Sequence, residues 1–271
     1  MHGSSRAAVA KGQAALDAAL APDADWNVLA EDLFGILGAI DRSATLRRAL
    51  ADPSRDGDAK RDLAARLFGG KVGVAATSVI TSLAAQRWSA DRDLADTVES
   101  LAVQTVLAEA ERGGRSDAVE DELFRFERIV AGNPELREVL SHRNADASGK
   151  AGVVTRLLEG KAAPETLRLA QQAVSAPRGR RLERTLETYL SLAAGRRDQL
   201  TAVVTSAAQL TDQQQARLAS ALEGVYGKAI NLQAVIDPDV MGGLYVQIGD
   251  EVVDGTILRR VDEARRHLSG G

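Results

Sequence analysis

The sequence contains no cysteine, and this absence excludes several kinds of site. Disulfides, zinc–thiolate centres and cysteine nucleophiles are all impossible in a chain of 271 residues with 0 Cys. The three histidines, His2, His142 and His267, are widely separated along the chain, so neither a metal-ligand group nor a catalytic triad is expected. We therefore predict no catalytic residue, no metal and no cofactor.

Long apolar runs and aromatic residues are also scarce. No stretch approaches the ~18 consecutive apolar residues of a membrane-spanning helix, so we expect any membrane contact to come through a partner. Aromatic residues make up only 3% of the chain, so a core of Ala, Leu and Val is expected, which is typical of closely packed helices. Acidic and basic residues are mixed along the chain with a net charge of -4, so nucleic acid is not an expected partner.

Apolar residues recur at spacings of three and four in the first two-thirds of the chain. Leu29, Leu33, Ile36 and Ile40 form one such stripe, which predicts an amphipathic helix from about Trp26 to Ile40. Two similar stripes are Val119, Leu123, Phe126 and Val130, and Leu182, Leu186, Tyr189 and Ala193. The helix stops and turns between the stripes are predicted at Gly69-Gly70, Gly113-Gly114, Gly160 and Pro177. Short helices with short connections are therefore predicted.

The helical part of the sequence repeats itself. A shift of 90 positions aligns Leu33-Phe34 with Leu123-Phe124, Lys60 with Lys150 and Gly70-Lys71 with Gly160-Lys161, without a gap. Chance matching in a sequence rich in Ala, Leu and Arg is the alternative, but one constant offset with matching apolar phases favours duplication. We predict two copies of a helical bundle, residues 1–110 and 111–198.

The pattern changes after about Leu200, where residues 199–271 predict a small α/β domain. A strand is followed by a helix with a capping box at Thr211 and Gln214, then by a second strand to Ile236. A hairpin and a last helix to about His267 complete it. The predicted fold class is mainly α with a small α/β C-terminal domain: a duplicated helical bundle, then a strand-helix-strand-hairpin-helix unit.

Residues 235–256 resemble the C-terminal signature of the ATP synthase delta subunit and of its mitochondrial counterpart, the oligomycin-sensitivity-conferring protein. The signature positions are Asp237, Pro238, Gly242, Gly243, Gly249, Asp250, Asp254, Gly255 and Thr256. We interpret them as structural, because glycine and aspartate suit tight turns. Residues 133–137 resemble the family's helical domain, and residues 1–110 resemble the extra copy in the long delta subunits of actinobacteria.

The resemblance implies a non-catalytic stator subunit of the proton-translocating F-type ATP synthase. It would lie at the cytoplasmic face of the plasma membrane, peripherally, as part of the complex. The family's C-terminal unit meets the b subunit of the peripheral stalk, and a helical bundle holds the N-terminal helices of the alpha subunits. Candidate groove residues for those helices are Val103, Val106, Leu107, Leu167 and Val174, with ordinary bundle core as the alternative for each.

Two other functions stay open at this point: a free-standing helical scaffold or regulator, and an enzyme. Gly69-Gly70-Lys71 and Gly160-Lys161 lack the spacing of a phosphate-binding loop, so helix-end glycines are favoured. The acidic run 120–122 favours solvated capping of a helix start. The arginines 178, 180 and 181 favour a solvated loop, with an acidic partner as the alternative.

Overall fold

The structure, a computed structural model, divides into two compact units, Met1–Ala194 and Gly195–Gly271. Among the described residues, the first unit consists of helices, and the second contains a four-stranded sheet and one helix. The predicted fold class, mainly α with a small C-terminal α/β unit, is confirmed. The residues that the structure describes are 3–142, 145–197, 199–238, 240, 243–248 and 251–254.

Eleven described helices begin in the first unit, joined by short connections. They are α1 (Gly3–Ala19), α2 (Trp26–Arg42), α3 (Ala44–Ala51), α4 (Gly57–Phe68), α5 (Val74–Ala85), α6 (Asp91–Arg112), α7 (Ser116–Gly132), α8 (Pro134–Ser141), α9 (Ala147–Leu158), α10 (Pro164–Ser175) and α11 (Leu182–Arg197).

The predicted stripe of α2 is confirmed, because Leu29, Leu33, Ile36 and Ile40 are all buried. The helix begins after Asp25, whose carboxylate accepts hydrogen bonds from the backbone N–H groups of residues 27 and 28 at 3.0 and 3.1 Å. Such a cap satisfies amide groups that have no partner inside the helix. The sequence therefore specifies both the start of α2 and its buried face.

The helix boundaries recur with the offset found in the sequence. Each of α7, α8, α9 and α10 begins and ends 90 residues after α2, α3, α4 and α5 respectively. The capping residues recur as well: Ser43 corresponds to Asn133 and Asp56 to Asp146, and each side chain accepts from a backbone N–H group of its helix. Lys60 and its counterpart Lys150 are both buried.

Helix α6 belongs to both repeats. Moved by 90 residues, α1 falls within α6, so α6 is the last helix of the first repeat and the first helix of the second. Its side chains divide in the same way: Leu94, Val98 and Leu101 lie in one hydrophobic core, whereas Val103 and Val106 lie in another. The predicted boundary between residues 110 and 111 falls inside this helix, and the division into domains 1–110 and 111–198 stays a prediction.

The second unit is a small sheet with the strand order β2-β1-β3-β4. Its elements are β1 (Gln199–Ser206), α12 (Asp212–Tyr226), β2 (Ala229–Ile236), β3 (Leu244–Ile248) and β4 (Glu251–Asp254). β1 and β2 are parallel and joined through α12, whereas β3 runs antiparallel to both β1 and β4. The predicted strand-helix-strand-hairpin order is confirmed, and the predicted last helix lies outside the described residues.

In the described part of the second unit, five buried residues form the hydrophobic core, namely Ala202, Val204, Ile230, Val246 and Ile248. α12 has no buried residue, although Leu218, Leu222 and Tyr226 pack partly against the sheet. The predicted capping box is present at the start of α12, where Thr211 and Gln214 each bond to the other's backbone N–H group.

The sharing of α6 predicts how the chain responds to truncation. A fragment of residues 102–271 keeps Val103, Val106 and Leu107 in the second core, whereas a fragment of residues 111–271 loses them. Burial of each such side chain contributes roughly 1.5–3 kcal/mol, and a whole domain is stable by only about 5–15 kcal/mol. We expect cooperative urea unfolding of the helical signal from the longer fragment and none from the shorter. Equal cooperativity in both fragments would contradict a shared helix.

Candidate functional site

The residues predicted to line a groove for a partner helix lie in the core of the second repeat. Val103, Val106 and Leu107 on α6 are 0, 2 and 5% exposed, and Val174 on α10 is 1% exposed. Leu167, also on α10, is only partly buried against the same core. The burial supports the alternative that the four are ordinary core residues. Their assignment to a partner groove stays a prediction, and Leu167 is the member with surface open to a partner.

The signature residues that the structure describes lie at turns and at the sheet edge. The backbone N–H group of Asp237 donates to the carbonyl oxygen of Ser206 at 2.9 Å, which holds together the ends of the parallel strands β1 and β2. Pro238 follows it, and Gly243 has a φ of 108°, a conformation that favours glycine. Asp254 ends β4 opposite Tyr245. The signature positions Gly242, Gly249, Asp250, Gly255 and Thr256 lie outside the described residues.

The glycines that resemble phosphate loops end helices. Gly70 and Gly160, with φ values of 73° and 70°, follow the ends of α4 and α9 closely. A phosphate loop follows a strand, whereas a helix precedes each of these glycines. The preference for helix-end glycines is confirmed at both places.

The acidic run on α7 contributes a structural contact between helices. Glu122 accepts hydrogen bonds from the backbone N–H group of Ala163 at 2.8 Å and from the Thr166 hydroxyl at 2.6 Å, at the start of α10. Its counterpart Asp32 accepts from the backbone N–H group of Gly73 at 2.8 Å, at the start of α5. In both repeats, therefore, a carboxylate caps the start of another helix: one on α2 caps α5, and one on α7 caps α10. The prediction of a solvated acidic run was wrong for Glu122.

The preference for a solvated arginine loop was wrong for Arg178 and Arg180. The side chain of Arg178 is only 9% exposed, and its guanidinium lies 2.6 Å from Asp41, 2.8 Å from Asp96 and 2.5 Å from Glu99. Arg180 also binds Glu99, and the Tyr189 hydroxyl donates to the same carboxylate at 3.2 Å. Sequence reasoning considered an acidic partner but missed that the carboxylates belong to this chain.

We call the six residues Asp41, Asp96, Glu99, Arg178, Arg180 and Tyr189 the Glu99 cluster. It joins the loop before α11, in the second repeat, to α2 and α6. The loop turns sharply there, because Arg178 and Gly179 have φ values of 53° and 74°, and the left-handed region is uncommon for a residue other than glycine. The ion pairs therefore hold the backbone in a conformation that arginine rarely adopts.

The electrostatics of the cluster favour a fixed ionic state. Burial opposes the charge of Arg178, but the carboxylates of Glu99, Asp41 and Asp96 outweigh it and raise the pKa of the guanidinium. Burial, reinforced by the negative charge of Glu99, raises the pKa of Tyr189 well above its usual value. Tyr189 is therefore a neutral hydrogen-bond donor at physiological pH.

A cleft of about 920 Å³ lies beside the cluster, between α8, the end of α10 and the start of α11. Its wall includes the charged residues Arg137, Glu138, Arg180, Arg181 and Glu183 and apolar residues such as Pro177.

Within the described part of the chain, no group of three His, Asp or Glu residues is arranged to hold a metal ion. His142 directly follows α8, and His2 and His267 lie outside the described residues.

None of the described helices is long and apolar enough to cross a membrane.

Comparison with known proteins decides the family. The family model for the ATP synthase delta (OSCP) subunit matches residues 102–268. The chain belongs to the ATP synthase delta (OSCP) subunit family. It is 48% identical to the ATP synthase subunit delta of Kineococcus radiotolerans, over 99% of this chain and 98% of that protein. It is 46% identical to the proteins of the same name from Streptomyces griseus, over 100% of both chains, and Streptomyces avermitilis, over 99% of this chain and 98% of that protein.

The family match begins inside α6, near the point where its side chains pass from the first core to the second. The first repeat therefore precedes the part that the family model covers. Because the Kineococcus and Streptomyces relatives match along 98 to 100% of their own length, they share this longer form. The resemblance to long actinobacterial delta subunits is confirmed.

The Glu99 cluster predicts a large effect of a small substitution. Glu99→Gln removes a carboxylate that is 4% exposed and pairs with both Arg178 and Arg180, and breaking a buried ion pair in this way costs about 3 kcal/mol or more. Glu187→Gln is the matched control, because Glu187 is 55% exposed and pairs with Arg184 at the surface. Such surface pairs contribute about 0–1 kcal/mol. The free energy of unfolding in urea measures both, and equal losses would show that the cluster contributes no more than a surface pair.

Proposed function

We propose that this chain is a non-catalytic stator subunit of the proton-translocating F-type ATP synthase. The observation that carries the proposal is the match of the whole chain to proteins named ATP synthase subunit delta. In this role the chain has no active site of its own. It acts through its surfaces, which link the catalytic head to the peripheral stalk so that rotor torque drives ATP synthesis.

A stator subunit has to resist torque, and the helical unit has features suited to that task. The two repeats share α6, so neither core can shift without moving a helix of the other. The buried Glu99 cluster adds a second connection, between the loop before α11 and the helices α2 and α6. A tightly packed interior transmits strain instead of yielding to it. These features support a role of the helical unit in resisting torque.

We further propose that each unit has its own partner. The helical unit holds the N-terminal helices of the alpha subunits, and the C-terminal unit binds the b subunit of the stalk. An amphipathic helix lying in an apolar groove is a common way to bury area while assembly stays reversible. As part of the complex, this chain lies peripherally at the cytoplasmic face of the plasma membrane and meets the membrane only through its partners.

Binding to the purified catalytic head tests the proposal. We expect the full chain to be retained by the head, to be released by a peptide of the alpha N-terminal helix, and to hydrolyse no ATP alone. A scrambled peptide of the same composition is the control. If the head does not retain the chain even without a competing peptide, a free-standing scaffold or regulator becomes the better explanation.

A substitution at Leu167 tests whether this residue contacts the catalytic head. Leu167→Ala should weaken binding of the head about tenfold if Leu167 is one of the few anchor residues of the contact, because truncation of such a residue costs more than about 1 kcal/mol. Val139→Ala is the matched control, since Val139 is 50% exposed on α8 of the same repeat. Titration of the head with each variant measures affinity, and urea unfolding of each variant separates a loss of contact from a loss of stability. An unchanged affinity for Leu167→Ala would remove this residue from the proposed contact.

A further inference from the structure

Phe34 on α2 and Phe124 on α7 have the same position in the two repeats, but only one of them is covered. Phe34 packs against the cores of both repeats. Phe124 lies 90 residues later in the chain and is 53% exposed. A single exposed aromatic residue is common in proteins, so the surroundings of the two phenylalanines decide what the exposure means.

In the first repeat, the second repeat covers this side of α2. Ala30 lies about one turn before Phe34 and is fully buried in the second core. The guanidinium of Arg168 on α10 donates to the backbone carbonyl oxygen of Asn27 at 3.2 Å and lies 3.7 Å from the carboxylate of Glu31. The covering surface therefore combines apolar side chains against the phenylalanine with an arginine beside an acidic residue.

The same side of α7 keeps the phenylalanine and is more acidic. Asp117 and Asp121 are the counterparts of Asn27 and Glu31. At about 3.6 residues per turn, the charged residues on this side of the helix are Asp117, Glu120, Asp121, Glu127 and Arg128. Arg125, at the margin, forms an ion pair with Asp121, but such an exposed pair is weak and exchanges readily with a new partner. Four carboxylates and one guanidinium around an aromatic ring select a basic amphipathic occupant.

A second copy of this chain is a poor match for this surface. In the second repeat, the surface that presents Arg168 is already covered by α2. In the first repeat, Ser78 on α5 has the position of Arg168 and supplies no charge. The better occupant is a helix of another protein.

We propose that the side of α7 around Phe124 binds a basic amphipathic helix of an alpha subunit of the catalytic head. Apolar residues of that helix pack on Phe124, and a lysine or arginine lies beside Asp117 and Asp121, as Arg168 lies beside α2. The inference rests on the proposed function, because it takes alpha-subunit helices as partners of the helical unit. It adds a contact on α7 to the one proposed at Leu167 on α10.

The affinity of the full chain for the purified catalytic head tests the aromatic part of the surface. Phe124→Ala should weaken binding at least about fivefold, because a few aromatic anchors supply most of the energy of an interface. Ile129→Ala is the matched control, since Ile129 is also 53% exposed on α7 but lies on a different side of the helix. The control should bind as the wild type does, and urea unfolding of both variants shows whether the fold is intact.

Charge reversal tests the acidic part. Asp121→Lys should weaken binding at about 50 mM salt, and less at about 300 mM, because screening weakens exposed charge interactions. Asp58→Lys is the matched control, since Asp58 forms an exposed ion pair with Arg61 on α4 and its reversal changes the net charge equally.

A crosslink identifies the occupant. The photoreactive amino acid benzoylphenylalanine at position 124 should link the chain to an alpha subunit when the complex with the head is illuminated. The same amino acid at position 129 should give no such product.

The other outcomes separate this inference from the proposed function. If the head retains the wild type and Phe124→Ala binds as tightly as Ile129→Ala, the inference is overturned while the proposed function stands. Equal weakening by Asp121→Lys and Asp58→Lys, or a crosslink from position 124 to a subunit other than alpha, would also overturn it. If the head does not retain the wild type, the proposed function fails and this inference fails with it.

Discussion

One helix that belongs to two hydrophobic cores is the constraint on which the helical unit depends. α6 has 22 residues, and its buried side chains belong to both cores: Leu94, Val98, Leu101 and Ala108 lie in that of the first repeat, and Val103, Val106 and Leu107 lie in that of the second. A helix is stiff along its axis because each turn is bonded to the next. The two repeats therefore form one compact unit, Met1–Ala194, and are not two separate domains joined by a linker.

The buried charges extend this coupling. Glu99 lies on the shared helix and is 3% exposed, so a carboxylate there requires compensation. Two arginines and a tyrosine from the second repeat provide it. A buried ion pair adds little net stability relative to an apolar core, but it fixes geometry because any other arrangement leaves a charge unpaired. This explains why the loop before α11 adopts an unusual backbone conformation around Arg178.

The repeats have kept what folding needs and have diverged in their charges. Helix caps, the interhelical carboxylates Asp32 and Glu122, and the buried lysines recur at the same positions. The ion pair of Arg47 with Asp91 does not recur. Caps and core residues act within a repeat, so both copies require them, whereas charges at the ends of helices face whatever lies beside each copy. The differences between the copies therefore mark the surfaces on which their surroundings differ.

The sequence alone determined the buried stripe of α2, the capping box of α12, the 90-residue repeat and the order of strands and helix along the C-terminal part of the chain, because apolar spacing, capping residues and turn residues act over a few residues. The signature in residues 235–256 indicated the family. It also led us to look for a groove at Val103 and Val106, which the structure buries, and to expect a solvated loop at Arg178, which the structure pairs with three carboxylates. Those carboxylates lie on α2 and α6, 79 residues or more away in the chain. Only the tertiary structure decided these contacts, because no local pattern records which distant charges a fold will bring together.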